Sequence, residues 1–535
     1  MTQQPSRGRR GMAVAPHGLA AQSALAVLRE GGNAIEAMVA AAATIAVVYP
    51  HMNGIGGDSF WLVGLPQAAG DTEVLGIEGC GAAALAASAG QYAGLPAIPF
   101  RGGNAAITVA GTVSGWDQAL AVSRERLGGR LPLSRLLADA VDYARHGMPV
   151  TVSQHRNTLG KLAGLADVHG FAEAFLPDGQ VPAAGSLFRQ PRMAATLEHL
   201  ARAGLDDFYR GDLARSLAAD LAAAGSPLVL ADLQAHRAAM RRPLELAHSR
   251  GRVFNMPPPT QGLVSLMILG LMDRLEGGRS DHLGADYVHA AVESVKQAFA
   301  VRDAHITDPA CMTVDPERFL EPASLDAMAA RIDRDEAAPW GEGKGPADTV
   351  WMGVIDGEGR SVSMIQSIYH EFGSGVVLRE SGINWQNRGA SFSLVPGHIN
   401  VLAPGKKPFH TLNPALALLE DGRTLVYGNM GGDGQPQSQS AVFTRTVVQG
   451  MDPQAAVSAP RWLLGRTWGE SSDTLKLEGR FPAATVEALR ARGHAVDVLG
   501  DFDETFGHAG CIVRSPDGTF EGGFDPRSDG AVAAY

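Results

Sequence analysis

The segment Ala34–Val48 (AIEAMVAAAATIAVV) constrains the fold more than any other. Apart from Glu36 in its first turn it carries no charge, and apolar residues cover every side. A helix of this kind has no face to give to water, so it is expected to be buried all round. Its start is written locally. Asn33 can cap the first turn while Glu36, three residues on, reaches back in capping-box fashion, and Gly31 and Gly32 stop the preceding helix expected over 16–30. Residues 37–48 form the most apolar early run, and its 12 residues fall short of the about 20 that cross a bilayer.

Burying such a helix needs a large surrounding core, and the chain can supply one. It has 535 residues, 45% hydrophobic and 19% charged, enough for about three domains or one large layered unit. Its 45 basic and 56 acidic residues give a net charge of −11. That balance argues against nucleic acid or an anionic membrane as partner, since both recruit basic surfaces. The three cysteines, Cys80, Cys311 and Cys511, lie too far apart for a zinc knuckle or redox pair and exclude a disulfide-built fold. Residues 1–11 are polar and basic with no apolar signal core after them, so a cytoplasmic, reducing setting is expected.

Along the chain the pattern changes at Ile332. Residues 112–335 read as mostly helical, interrupted by the proline turn at 255–262 ahead of a helix over 263–275. His289 and Glu293 share a helix face, with His305 nearby. No third ligand stands at compatible spacing, so no metal is expected there. Residues 334–348 are charged, rich in Gly and Pro and aperiodic, hence loop or flexible tail. Beyond them strands are expected at 350–356 and 361–369 around the loop 357–359, and at 375–378, 415–419, 424–428 and 511–514. An earlier strand, 59–64, follows the glycine turn at 54–57. That turn sits between a helix and a strand, the reverse of a dinucleotide loop, so its glycines are read as allowing close backbone passage. Strands segregated from helices predict a layered sandwich, not alternating βαβ units.

Thr349 is the position with the most chemical content. It stands where the flexible stretch meets the first hairpin strand. If the bond before it were cut, its hydroxyl and a free α-amine would share one residue. An α-amine has a pKa near ~8, so at neutral pH it can accept the proton of the attacking hydroxyl. If 357–359 is a symmetric three-residue loop, Ser367 lies opposite Thr349, and alternation brings Tyr369 to the same face ahead of His370. In the loop 428–435, the adjacent Gly431 and Gly432 can present two backbone N–H groups to one oxygen, as an oxyanion hole requires.

These segments together resemble the γ-glutamyltransferases of the N-terminal-nucleophile hydrolase superfamily, over nearly the whole chain. The likeness is carried by GGNAIEAMVAAAATIAVVYPHMNGIGGDSFWLV (31–63), NMPPPTQG (255–262), TVWMGVIDGEGRSVSMIQSIYHEFGSGVV (349–377), KKPFHTLNPALAL (406–418), GNMGGDGQPQ (428–437) and DPRSDGAVAAY (525–535). It implies a four-layer αββα sandwich, made as a precursor that cleaves itself into a large chain, 1–348, and a small chain, 349–535. The two stay together as a heterodimer able to pair further. The family's nucleophilic threonine falls on Thr349 and its oxyanion glycines on Gly431 and Gly432. Neither metal nor organic cofactor is implied.

Departures from the family pattern bear on the substrate. The family's carboxylate-binding arginine falls near Ala87. Its acidic pair falls at 387–390, where no acid stands, and its serine pair at His410 and Thr411. Its second threonine and its asparagine fall at Ser367 and Tyr369. A site built for a zwitterionic amino acid would lose contacts worth roughly 1.5–3 kcal/mol each. Arg388, His410, Tyr369, His370 and Trp385 instead form a basic, aromatic set suited to a small anion without an ammonium group. The signatures VWMGVID, IQSIYHEFGSG and NWQNRGASFS look like the oxamate amidohydrolase branch of the family. That branch implies hydrolysis of oxamate to oxalate and ammonia, in purine-nitrogen catabolism. Arg388 is then expected to hold the substrate carboxylate. Two other readings stay open: a γ-glutamyl transferase or hydrolase or glutaryl-type acylase, and an unprocessed, non-catalytic binding homologue.

Overall fold

Every residue from Ala34 to Val48 is buried, and the capping box at Asn33 and Glu36 is formed. What surrounds this helix is set by the strands. The computed structural model describes residues 4–68, 70–341, 348–465 and 472–535. Among these described residues, fourteen strands build two antiparallel sheets of seven. In chain order they are β1 (Ser6–Gly8), β2 (Gly11–Ala15), β3 (Asp58–Pro66), β4 (Thr72–Gly79), β5 (Ala239–Arg241), β6 (Leu244–His248), β7 (Gly251–Asn255), β8 (Asp348–Asp356), β9 (Ser361–Tyr369), β10 (Ala415–Leu419), β11 (Thr424–Asn429), β12 (Ala509–Arg514), β13 (Phe520–Phe524) and β14 (Ala531–Ala534). The first sheet runs β14-β2-β8-β9-β3-β4-β5 and the second β1-β13-β12-β11-β10-β7-β6.

Side-chain alternation along β8 and β9 turns these sheets into layers. Val350, Met352 and Val354 join the core that contains the buried helix, whereas Trp351 and Ile355 join a second core with Phe60, Leu416, Val426 and Ile512. That second core lies between the two sheets. Helices α1 (Gly18–Arg29), α2 (Ala34–Val48) and α3 (Thr112–Leu127) pack on the first sheet, and α4 (Gly262–Arg274) and α6 (Gly434–Phe443) on the second, with α5 (Ala285–His305) against α4. The result is the expected αββα sandwich. Among the described residues no helix is long and apolar enough to cross a membrane.

The stretch 112–335 is mostly helical, as expected, with β5, β6 and β7 lying within it. Two local expectations are corrected. Residues 375–378 form no strand, only an isolated bridge between Val377 and Asn384. Gly373 and Gly375 have φ of 55° and 73°, which extended backbone cannot accommodate. The expected flexible tail is also held where it is described. Ala338 N–H donates to Glu293 (3.2 Å), the Ala338 carbonyl accepts from Lys296 (2.6 Å), and Asp348 already belongs to β8. Residues 342–347 of that stretch lie outside the described residues.

Candidate active site

The hairpin β8–β9 turns through the three residues 357–359, and its partners run from Ile355 with Ser361 to Val350 with Gln366. The register shifts at Thr349, at the end of this ladder. There the Thr349 hydroxyl donates to Ser367 Oγ at 3.3 Å. Ser367 Oγ also accepts from the Tyr369 backbone N–H (2.8 Å) and from Arg388 Nη2 (3.4 Å). One serine oxygen therefore joins the threonine to a guanidinium. Thr349, Ser367 and Arg388 are wholly buried.

Arg388 opens a short 3₁₀ turn, and its guanidinium carbon lies 4.2 Å from the centre of the Tyr369 ring. Tyr369 has φ of 82°, an unusual backbone for a non-glycine residue, and it is held there by the Ser367 contact. Burial lowers the Arg388 pKa, while Tyr369 and Asp58 favour its charged form. Its Nε and Nη1 make no hydrogen bond among the described residues. His370 follows, edge-on to Tyr369 and against Phe100, with burial and the charges of Arg101, Arg388 and Lys161 holding it well below the usual imidazole range.

The second sheet supplies the opposite wall. Strand β11 ends at Asn429, the chain turns through Met430, Gly431 and Gly432, and α6 begins. Gly431 and Gly432 have φ of 119° and 53°, conformations that glycine adopts freely. Their N–H groups donate to no backbone carbonyl among the described residues. Gln435, in the first turn of α6, donates to Thr349 Oγ1 at 3.4 Å and accepts from Asn413 at 3.2 Å. Gln261 donates to the carbonyls of Gly432 and Thr411, both at 2.9 Å, which ties the proline turn to this loop. Arg302 pairs with Asp433 at 2.9 Å and steadies the loop from behind.

His410 and Thr411 lie on the same side as Arg388. Both ring nitrogens of His410 and the Thr411 hydroxyl lack a hydrogen-bond partner among the described residues. Burial, then the charges of Arg388 and Lys407, keep His410 neutral. Its Nε2 is 3.6 Å from Asp58 Oδ2. Asp58 is fully buried, and burial pushes its carboxyl up to about 7 against the opposing pull of Arg388 and the Gly81 and Gly111 N–H groups.

The structure thus gathers Thr349, Ser367, Tyr369, His370, Arg388, His410, Thr411, Gly431 and Gly432 into one region. Trp385 is placed elsewhere: it packs in the helix-side core and donates to the Thr108 carbonyl. Sequence reasoning missed Asp58, Gln435 and Asn413. The signal for Asp58 was an acid directly after paired glycines at a strand start. A Cβ on Gly57 would meet the Ser367 carbonyl at 2.1 Å, so the expected close passage occurs beside this region.

Away from this region, His289 and Glu293 do acquire a third donor, His494, with ligating atoms within 4.8 Å of one another. The earlier expectation of no third ligand is corrected, because His494 comes from the far end of the chain. The two imidazoles bond to each other at 2.8 Å, His289 Nε2 meets the Asp333 carbonyl at 2.8 Å, and Lys296 engages Glu293 at 2.6 Å. These contacts already satisfy the cluster without an ion.

Comparisons with known proteins agree with this architecture. A family model described as gamma-glutamyltranspeptidase matches residues 20–535. The oxamate amidohydrolase proenzyme of Klebsiella pneumoniae is 60% identical over 525 residues, 98% of each chain. The glutathione hydrolase-like YwrD proenzyme of Bacillus subtilis is 41% identical over 98% of each. The crystal structure of cephalosporin acylase from Bacillus halodurans is similar at a TM-score of 0.90 and 33% identity, covering 100% of this chain and 97% of that one. The sandwich is that of the N-terminal-nucleophile hydrolases. With a match that runs from α1 to the last residue and takes in every member of the Thr349 cluster, the chain belongs to the gamma-glutamyltranspeptidase family.

Proposed function

We propose that this protein is an amidohydrolase that converts oxamate to oxalate and ammonia, with Thr349 as nucleophile after self-cleavage of the Asp348–Thr349 bond. One observation carries the substrate assignment: a single oxygen, Ser367 Oγ, contacts both the Thr349 hydroxyl and the Arg388 guanidinium. A substrate whose carboxylate is held by Arg388 while its amide carbon meets Thr349 Oγ has room for little between the two groups. Oxamate has its carboxylate bonded directly to the carboxamide. The 60% identical Klebsiella protein named for oxamate supports the same choice.

In this reading Thr349 Oγ attacks the peptide carbonyl of Asp348 in the precursor, the C–N bond breaks and frees the threonine amine, and hydrolysis of the resulting ester releases the Asp348 carboxyl and restores the Thr349 hydroxyl. In turnover the α-amine takes the Oγ proton as the C–O bond forms. The Gly431 and Gly432 N–H groups, at the start of α6, receive the oxyanion, helped by the positive end of the helix dipole. Gln435 orients Oγ, and Asn413 orients Gln435. The ammonium then passes its proton to the amide nitrogen, the C–N bond breaks and ammonia leaves. Water, deprotonated by the same amine, hydrolyses the ester. Arg388 holds the carboxylate throughout by paired N–H donation.

The test is direct. Purified protein is incubated separately with oxamate, a γ-glutamyl anilide and a glutaryl anilide, and ammonia and dye are measured. Ammonia from oxamate alone is expected. Dye release without ammonia would replace this reading with an acylase or γ-glutamyl hydrolase. Thr349→Ala should leave a single 56.0 kDa band on denaturing electrophoresis. A smaller fragment beginning anywhere but Thr349, or one persisting in that variant, would refute the nucleophile.

A further inference from the structure

The short turn that carries Arg388 also carries Ser391, whose hydroxyl proton is shared between the Arg388 carbonyl (2.9 Å) and the Phe409 carbonyl (3.0 Å). One side chain thus joins the backbone of the guanidinium turn to the segment that holds His410 and Thr411. That segment is tied on in turn. The His410 N–H donates to the Pro259 carbonyl and the Gln261 N–H to the His410 carbonyl, both at 2.9 Å. Gln261 directs its side-chain N–H groups to the Thr411 and Gly432 carbonyls, both at 2.9 Å. Its oxygen accepts from Arg302 (3.4 Å), which pairs with Asp433 beside the glycines. A continuous run of bonded groups therefore leads from Arg388 through Ser391, residues 409–411 and Gln261 to Gly432. Its two ends are the groups proposed to receive the substrate carboxylate and the oxyanion.

We propose that Ser391 is a positioning residue that, together with Gln261, fixes the spacing between Arg388 and the Gly431–Gly432 loop and so makes the site selective for the length of its substrate. The proposal rests on the reading that Arg388 takes the carboxylate and the glycine N–H groups the oxyanion. Arg388 is then fixed at both ends: Ser367 Oγ and the Tyr369 ring hold the guanidinium, and Ser391 holds the backbone. Gln261 is wholly buried and precedes the proposed cleavage point, whereas Thr411 and Gly432 follow it, so the frame joins the two chains that cleavage would create. In oxamate one C–C bond separates carboxylate from carboxamide. A methylene inserted between them, as in malonamate, moves the amide carbon by about 1 Å or more, and a misplacement of that size can cost about a hundredfold in rate. A frame bonded at each step resists stretching to absorb it.

The test compares oxamate with malonamate on the wild type, Ser391→Ala and Ser391→Thr. Wild-type kcat/KM for oxamate should exceed that for malonamate by about tenfold or more. Ser391→Ala takes the hydroxyl away from both carbonyls. KM for oxamate should then rise about 2- to 10-fold, the equivalent of one neutral hydrogen bond, with kcat nearly kept. The preference for oxamate should narrow at least about threefold, because a loosened frame admits the longer amide. Ser391→Thr keeps the hydroxyl and should restore the preference. Should the Ala variant fail to fold, oxalate and malonate as inhibitors of the wild type give the same comparison, and oxalate should bind about tenfold more tightly or better. An unchanged preference in Ser391→Ala, an equal loss for both amides, a Thr variant as impaired as the Ala variant, or a wild type that accepts malonate as readily as oxalate would each overturn the assignment. Any of these with oxamate still turned over removes only the role of Ser391. No turnover of oxamate and no binding of oxalate removes the Arg388 reading, and this proposal with it.

Discussion

Arg388 shows why residue identity, and not charge alone, matters at this site. Its planar guanidinium lies over the Tyr369 ring while one nitrogen reaches Ser367, a combination that a lysine cannot reproduce. Arg388→Lys should therefore raise KM for oxamate about 10- to 100-fold, the equivalent of losing one or two charge-assisted bonds. Cleavage before Thr349 should persist, since no step of it uses the guanidinium. Steady-state kinetics beside gel electrophoresis separate the two effects, and an unaltered KM would place the carboxylate elsewhere. Much of this was readable in the sequence. The loop 357–359 gave the hairpin partners from Ile355 to Val350 by arithmetic, though the register shifts at Thr349, and the paired glycines marked a tight turn of positive φ. Asp58 was not readable as a site residue. Its neighbour Ser367 lies more than 300 positions away, and only the pairing of β3 with β9 brings them together.

Among the elements, α5 has a task beyond packing on α4. Its His289, Glu293 and Lys296 grip Asp333 and Ala338, and the Arg492 carbonyl accepts from the Ala337 N–H. The stretch leading to the proposed cleavage point is thus pinned to the body of the protein by residues that precede it and residues that follow it in the chain. His494→Ala removes the imidazole that bonds His289, and Glu293→Gln removes the charge that Lys296 engages. Either variant should speed limited trypsin cleavage after Arg331 and Arg334 several-fold while the rest of the digestion pattern holds. Equal rates in wild type and both variants would show that the anchor lies elsewhere. Composition suggested a free tail because charge, Gly and Pro report on local preference. The grip comes from side chains over 40 positions away. Strand β6 (LELAH) escaped detection for a related reason. Its alternation is five residues long and sits among Ala- and Leu-rich helices.

At the scale of the whole molecule, the proposed cut does not divide the fold. In the first sheet β2 lies between β14 and β8, and in the second β10 lies beside β7, so each sheet joins strands from both sides of residue 348. Cleaved halves should co-elute as one species and separate only in denaturant. Acid is the more informative stress. Burial lowers His17 and His508 to about 4, and His236 and His494 to about 3, from an ordinary 6.5. Below pH 6.5 the unfolded chain takes up protons that these folded histidines refuse, so stability falls as pH falls. Each contributes a slope of up to about 1.4 kcal/mol per pH unit until its folded pKa is reached. Asp58 works the other way, because its folded pKa of about 7 lies above its unfolded value, so stability from its protonation grows between pH 7 and 3.8. His51, His370 and His410 are lowered in the same sense, and Asp117, Asp356, Glu504 and Asp529 are raised like Asp58. The histidines prevail, leaving a net loss of a few kcal/mol between pH 6.5 and 5, a sizeable part of the ~5–15 kcal/mol that holds a folded protein together. Thermal melts should therefore show Tm level above pH 7 and dropping by several degrees toward pH 5, with a shallower drop in His236→Asn. A Tm that holds or rises across that interval would mean that these histidines take up protons without unfolding the sandwich around them.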